Sequence, residues 1–86
     1  MKVVHCKKAL YTHYIGRPSI FGNPFEIGRD GTRAEVIQKY REWVKNRPDV
    51  LKAIESLPAD ATLGCWCAPK PCHGHVIIEI WHEIHD

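Results

Sequence analysis

Thr32 followed three residues later by Glu35 is the feature that most limits what this chain can fold into. A Thr-x-x-Glu box satisfies two orphan backbone N–H groups at a helix start, so the chain must turn helical there. Behind the box Val36, Ile37, Tyr40, Trp43 and Val44 recur on one face, which predicts an amphipathic helix from about Arg33 to Lys45. Asn46-Arg47-Pro48 stops it. Pro48 suits a first helical position, and Val50, Leu51 and Ile54 carry a shorter second helix toward Ser56. Apolar runs too short to be helices flank this middle: Lys2 to Cys6, an extended piece near Leu10 to Ile15, and Ala61 to Cys67. A strand, a helical crossover and a second strand form most simply a parallel unit, so the first and last strands are expected side by side. Ala68-Pro69-Lys70-Pro71 then turns the chain into a last helix from about Cys72 to Ile84. The expectation is one α/β domain over residues 1–86, with a small sheet, parallel in its centre, and about three helices.

Chain length bears on what holds such a domain together. Eighty-six residues bury a modest fraction of their surface, which favours a metal, a staple or a homo-oligomer as extra support. No stretch suits a signal peptide or a membrane span, so a soluble, cytoplasmic protein with no membrane partner is expected. A net charge of +2, with Lys and Arg scattered among acidic residues apart from Lys7-Lys8, gives no reason to expect nucleic acid as a partner. Of four cysteines, Cys65, Cys67 and Cys72 crowd together and only Cys6 stands apart. In a reducing compartment that cluster reads as metal ligands, a reactive thiol or buried small apolar residues rather than as a disulfide framework.

Chemistry-bearing residues concentrate in two loops, Tyr14 to Phe25 and Cys65 to His75. The first belongs to a glycine- and proline-broken run from Gly16 to Gly31 that still offers aromatic side chains for packing. Because open α/β sheets place ligands outside the carboxyl ends of their strands, the loops after the first and last strands should meet at one edge.

Three patterns carry a further resemblance: Tyr-Ile-Gly-Arg-Pro-Ser-Ile-Phe-Gly-Asn-Pro-Phe from Tyr14, Gly-Thr-Arg before the first helix, and Leu-Gly-Cys-Trp-Cys-Ala-Pro-Lys-Pro-Cys-His-Gly from Leu63. The chain resembles the domain of unknown function 4326 family over nearly its whole length. The resemblance implies a phage or bacterial setting and gives no residue a role. A strand ending in Cys before a Cys-His pair that opens a helix also resembles, more weakly, domain of unknown function 488. Two departures stand out: His75 occupies a place where the larger family leads one to expect an acidic residue, and Cys6 is peculiar to this chain.

Three chemical readings compete for the two loops. In the first, Pro71-Cys72-His73-Gly74 opens a helix whose free N–H groups and macrodipole attract a phosphate or carboxylate. Arg17 and Ser19 would complete that anion site, Asn23 would read a base or sugar, and Tyr14, Phe21 and Trp66 would offer stacking surface. The ligand-binding set is then Arg17, Ser19, Asn23, Cys72, His73 and Gly74, and the partner a nucleotide or ADP-ribose-like molecule. In the second, Cys72 is a nucleophile activated at the helix start, with His73 protonating a leaving oxygen. Neighbouring helical residues point about 100° apart, which separates this pair from a ready thiol–imidazole couple. In the third, Cys65, Cys67, Cys72 and His73 hold a structural Zn, with His75, His5 and Cys6 as substitutes, in a module that contacts another protein. Cys-x-Cys and a four-residue gap before Cys-His is unlike the paired Cys-x-x-Cys of zinc ribbons.

Plainer roles stand beside these. Strand cysteines are commonly inert apolar residues, Phe21 and Phe25 can anchor a loop, and Asn23 before Pro24 can cap a turn. His82, Glu83, His85 and Asp86 read as a solvated helix end, and His13 is left without a role. The expectation taken forward is binding of a phosphorylated small molecule, with no enzymatic turnover assigned. The phage setting suggests sequestration of an immune nucleotide signal, an anti-defence role.

Overall fold

A computed structural model describes residues 1–86. Three strands form one sheet: β1 (Lys2–His5), β2 (His13–Tyr14) and β3 (Thr62–Cys65). Three helices accompany them: α1 (Arg33–Lys45), α2 (Pro48–Glu55) and α3 (His73–His85). The strand order is β1-β3-β2 and both pairings are parallel, with Val4 and Tyr14 each opposite Gly64. The expected parallel neighbours are therefore real, and the last strand in sequence is the middle one in space.

The helices form where their local chemistry requires. Thr32 Oγ1 accepts from Glu35 N, and Glu35 Oε1 accepts from Thr32 N, so the capping box is complete. Val36, Tyr40 and Val44 face the core at their spacing of four. Pro48 opens α2, where a missing N–H costs nothing. Cys72 is the N-cap of α3 rather than its first helical residue, so the strand expected to run to Cys67 and the helix expected from Cys72 each begin or end within two residues of their predicted limits.

A single core joins these parts. Ile15, Tyr40, Val44, Val50, Ile54, Leu63, Val76 and Ile77 are fully buried within it. Burying a side chain of this kind stabilises by about 1.5–3 kcal/mol, which is what offsets the ordering of so short a chain. Polar contacts fix the layers: Arg41 pairs with Glu79 at 2.9 Å between α1 and α3, and Trp81 Nε1 donates to Leu57 O at 2.8 Å. On its way back from the end of β1 to the start of β2 the chain lays the Tyr11 ring on Gly64. A Cβ there would lie 2.6 Å from Tyr11 Cγ. No helix is long and apolar enough to cross a membrane.

Candidate functional site

The segments that follow β2 and β3 lie beside each other at the carboxyl edge of the sheet, as the parallel order requires. Between them and the starts of α1 and α3 opens a cleft of about 400 Å³. That volume falls in the range that holds a small organic ligand. Of the residues singled out in the sequence, Arg17, Asn23, Cys65, Cys67, Cys72 and His73 all line this one cleft. Ser19 and Gly74 do not.

Arg17 follows β2 and is half-exposed, its Nη1 donating to Glu26 Oε1 at 2.9 Å. Glu26 also faces Arg29 at 3.7 Å. Arg33, the first residue of α1, turns its guanidinium to Pro71 O at 3.0 Å and thereby ties α1 to the turn before α3. Two guanidiniums and one carboxylate thus stand at the cleft, leaving it a positive balance. Trp66 shows 55% of its surface and donates from Nε1 to Tyr14 Oη at 2.7 Å. Its indole packs against His5 and Lys7 as well, Phe25 also lines the cleft, and Phe21 is buried in the core.

Other predicted residues have structural duties. Asn23 Oδ1 accepts from Phe25 N at 2.9 Å while Nδ2 donates to Val36 O at 3.2 Å, so its amide ties the loop to α1. Ser19 Oγ is buried without a hydrogen-bond partner. Gly74 lets the first turn of α3 lie on the sheet, since a Cβ would come within 2.9 Å of both Ile15 Cδ1 and Val3 Cγ2.

The sulfur and imidazole groups at the α3 start are buried. Cys65 Sγ and Cys72 Sγ are 3.3 Å apart, and all four cysteines are free. Cys72 Sγ accepts from Gly74 N at 3.3 Å, which favours a thiolate, yet burial disfavours the charge more strongly and pushes the thiol up to about 12. Burial thus opposes the activation that a place at the helix start would bring to Cys72. His73 Nε2 lies 2.7 Å from Ile15 O, and its ring meets Tyr40 edge-on at 5.0 Å between centroids. Burial, with the nearby Arg17 charge, holds the His73 pKa below the ordinary histidine value even though the bond to Ile15 opposes the shift. No three His, Cys, Asp or Glu side chains are grouped as metal ligands. Cys65, Cys67, Cys72 and His73 do not stand as such a group here, and His73 Nε2 is directed at the Ile15 carbonyl.

Glu26 and Arg33 are the cleft residues that sequence reasoning missed. Arg33 directly follows the Thr32 cap, and a cation at a helix start is electrostatically unfavourable, which was the available signal. Glu26 had none beyond its charge.

Comparison with known proteins gives two matches. A family model described as Domain of unknown function (DUF4326) matches residues 3–83. An uncharacterized 12.4 kDa protein in the nrdA-td intergenic region of Enterobacteria phage T4 is 32% identical over 87 residues, an alignment that covers 96% of this chain and 79% of the phage protein. No solved structure matches.

Proposed function

The chain belongs to the domain of unknown function 4326 family, and from that footing we propose that it binds a phosphorylated small molecule of the nucleotide or ADP-ribose class in the cleft. One observation carries the reading: the Arg17 and Arg33 side chains meet at a cleft that Phe25 and Trp66 also line, at the carboxyl edge of a parallel sheet. Guanidinium groups match phosphate oxygens in charge and fork geometry, and an aromatic side chain offers surface to a planar base. Strand carboxyl ends are where open α/β sheets bind such ligands.

Binding is favoured over catalysis because Cys72 is held as a thiol far above neutral pH and the thiolate is the nucleophilic form. A phage relative fits a use in which the protein lowers the free concentration of a nucleotide signal without consuming it. Isothermal titration with ADP-ribose and with ADP should show one site per chain, weakened roughly tenfold or more by Arg33→Ala, the scale of one charge-assisted hydrogen bond. Absence of heat with both ligands, together with an unchanged thermal midpoint, would sink the reading. In the same samples free ADP-ribose should fall on mixing with stoichiometric protein and return intact on denaturation. Recovery of a cleaved product would replace sequestration with turnover.

A further inference from the structure

The imidazole of His73 is the most buried polar group at the cleft, with 8% of its surface exposed. Its two nitrogens have different fates. Nε2 lies 2.7 Å from Ile15 O. A carbonyl oxygen only accepts, so Nε2 must carry the proton. In a neutral ring Nδ1 is then a bare lone pair, and the downward shift of this histidine by burial keeps the ring neutral at ordinary pH. No protein group hydrogen-bonds to Nδ1, although nearly every other polar group of the buried site is engaged.

Because Ser19 Oγ is the one fully buried unpaired polar side-chain atom, the unpaired Nδ1 of this cleft-lining residue is within reach from outside, and an acceptor of fixed tautomer there discriminates between the ends of a ligand. An ionised phosphate oxygen brings only lone pairs and is repelled by it, whereas a hydroxyl or amine hydrogen satisfies it. Arg17 and Arg33 have the opposite preference. Resting on the phosphate-binding reading above, we propose that His73 Nδ1 accepts a hydrogen bond from a sugar hydroxyl of the ligand, so that the site selects a sugar phosphate unit with its phosphate at the guanidiniums and its hydroxyl at the cleft floor. Tyr40, packed edge-on against the ring, holds the imidazole plane in place, and the Ile15 carbonyl sets which nitrogen is bare. His73 is thus a specificity residue and transfers no proton.

The test compares four probes on the whole chain by isothermal titration: inorganic pyrophosphate, ribose 5-phosphate, ADP and 2′,3′-dideoxy-ADP. Wild-type protein should bind ADP about threefold to tenfold more tightly than its dideoxy counterpart, the net worth of one neutral hydrogen bond from the ligand hydroxyl. His73→Gln keeps an N–H donor for Ile15 at the place of Nε2 and removes the acceptor at the place of Nδ1. It should erase the preference for ADP over dideoxy-ADP while leaving pyrophosphate within about twofold, since that loss concerns only the hydroxyl contact. Ribose 5-phosphate separates the sources of the hydroxyl: a loss of its affinity in His73→Gln that pyrophosphate does not share assigns the contact to a free sugar phosphate as well as to a nucleotide. A second measurement needs no variant. In wild-type protein labelled with ¹⁵N-histidine, the unprotonated Nδ1 resonance of His73 should move toward the protonated range on saturation with ADP and stay in place with pyrophosphate. Equal affinity for ADP and dideoxy-ADP, or a ligand-free spectrum in which Nε2 is the bare nitrogen, overturns the inference while phosphate binding stands. Failure of all four probes overturns phosphate binding and this inference together.

Discussion

His73 and Cys72 are adjacent, buried and oppositely affected by burial, so they give the folded state opposite sensitivities to pH. His73 has a folded pKa below its unfolded one of about 6.5. The unfolded chain therefore binds the extra proton first, and the stability this neutral ring contributes is present above pH 6.5 and lost as pH falls. The thermal midpoint should drop between pH 7 and pH 5, and His73→Gln should flatten that drop. An unaltered acid limb in the variant would remove His73 as its cause. Cys72 has a folded pKa raised to about 12. Here the stability is fully present below the unfolded thiol range and is lost as pH rises through the folded value. The same shift predicts chemical reactivity. Iodoacetamide at neutral pH should modify the half-exposed Cys6 and Cys67 before the buried Cys65 and Cys72, with peptide mass mapping as the readout. Early labelling of Cys72 would restore the nucleophile reading. Neither behaviour was readable in the sequence, where a cysteine at a helix start suggests an acidic thiol and nothing reveals how deeply the turn is buried.

Among the elements, α1 is the one whose existence and limits were visible beforehand, because its cap, its apolar face and its stop are all local. Thr32→Ala removes the Oγ1 acceptor for Glu35 N and should cost about 1 kcal/mol, measured as the shift in a urea midpoint. A wild-type midpoint would mean that water replaces the cap. By contrast β2 is two residues long and exists only through its partner: Ile15 N donates to Gly64 O and Thr12 N to Thr62 O. An extended piece was expected near Leu10 to Ile15, but its pairing is tertiary and leaves no period to detect. Asn23 shows the same limit in the loop. Its place before Pro24 suggested either a cap or a ligand contact, and only the position of Val36 O shows where its amide nitrogen goes. Tyr40 belongs here too, since its Oη donates to Phe21 O at 2.8 Å and binds the loop to α1. Tyr40→Phe leaves that carbonyl without a partner and should destabilise by roughly 1–3 kcal/mol. The indicated readout is denaturant unfolding.

For the molecule as a whole, the parallel sheet and its cleft followed from the alternation of short apolar runs with helices, and that much could be read from one chain. The contact between Tyr11 and Gly64 could not, because the connection from β1 back to β2 has no signature beyond its length. Gly64→Ala should therefore destabilise by roughly 1–3 kcal/mol, the usual cost of overpacking, and the loss should shrink when Tyr11→Ala is added. Additive losses would show that the ring does not rest on this glycine.

A strand that is last in the chain and central in the sheet has a consequence for the order of synthesis. β1 and β2 never touch each other through the backbone; each pairs only with β3. A nascent chain that has emerged as far as α2 owns two strands and no sheet, with the residues that will line the cleft on separate, unjoined pieces. The wall that carries Cys65 to His73 follows α2 in the chain, so the cleft takes shape only once β3 and the start of α3 have been added.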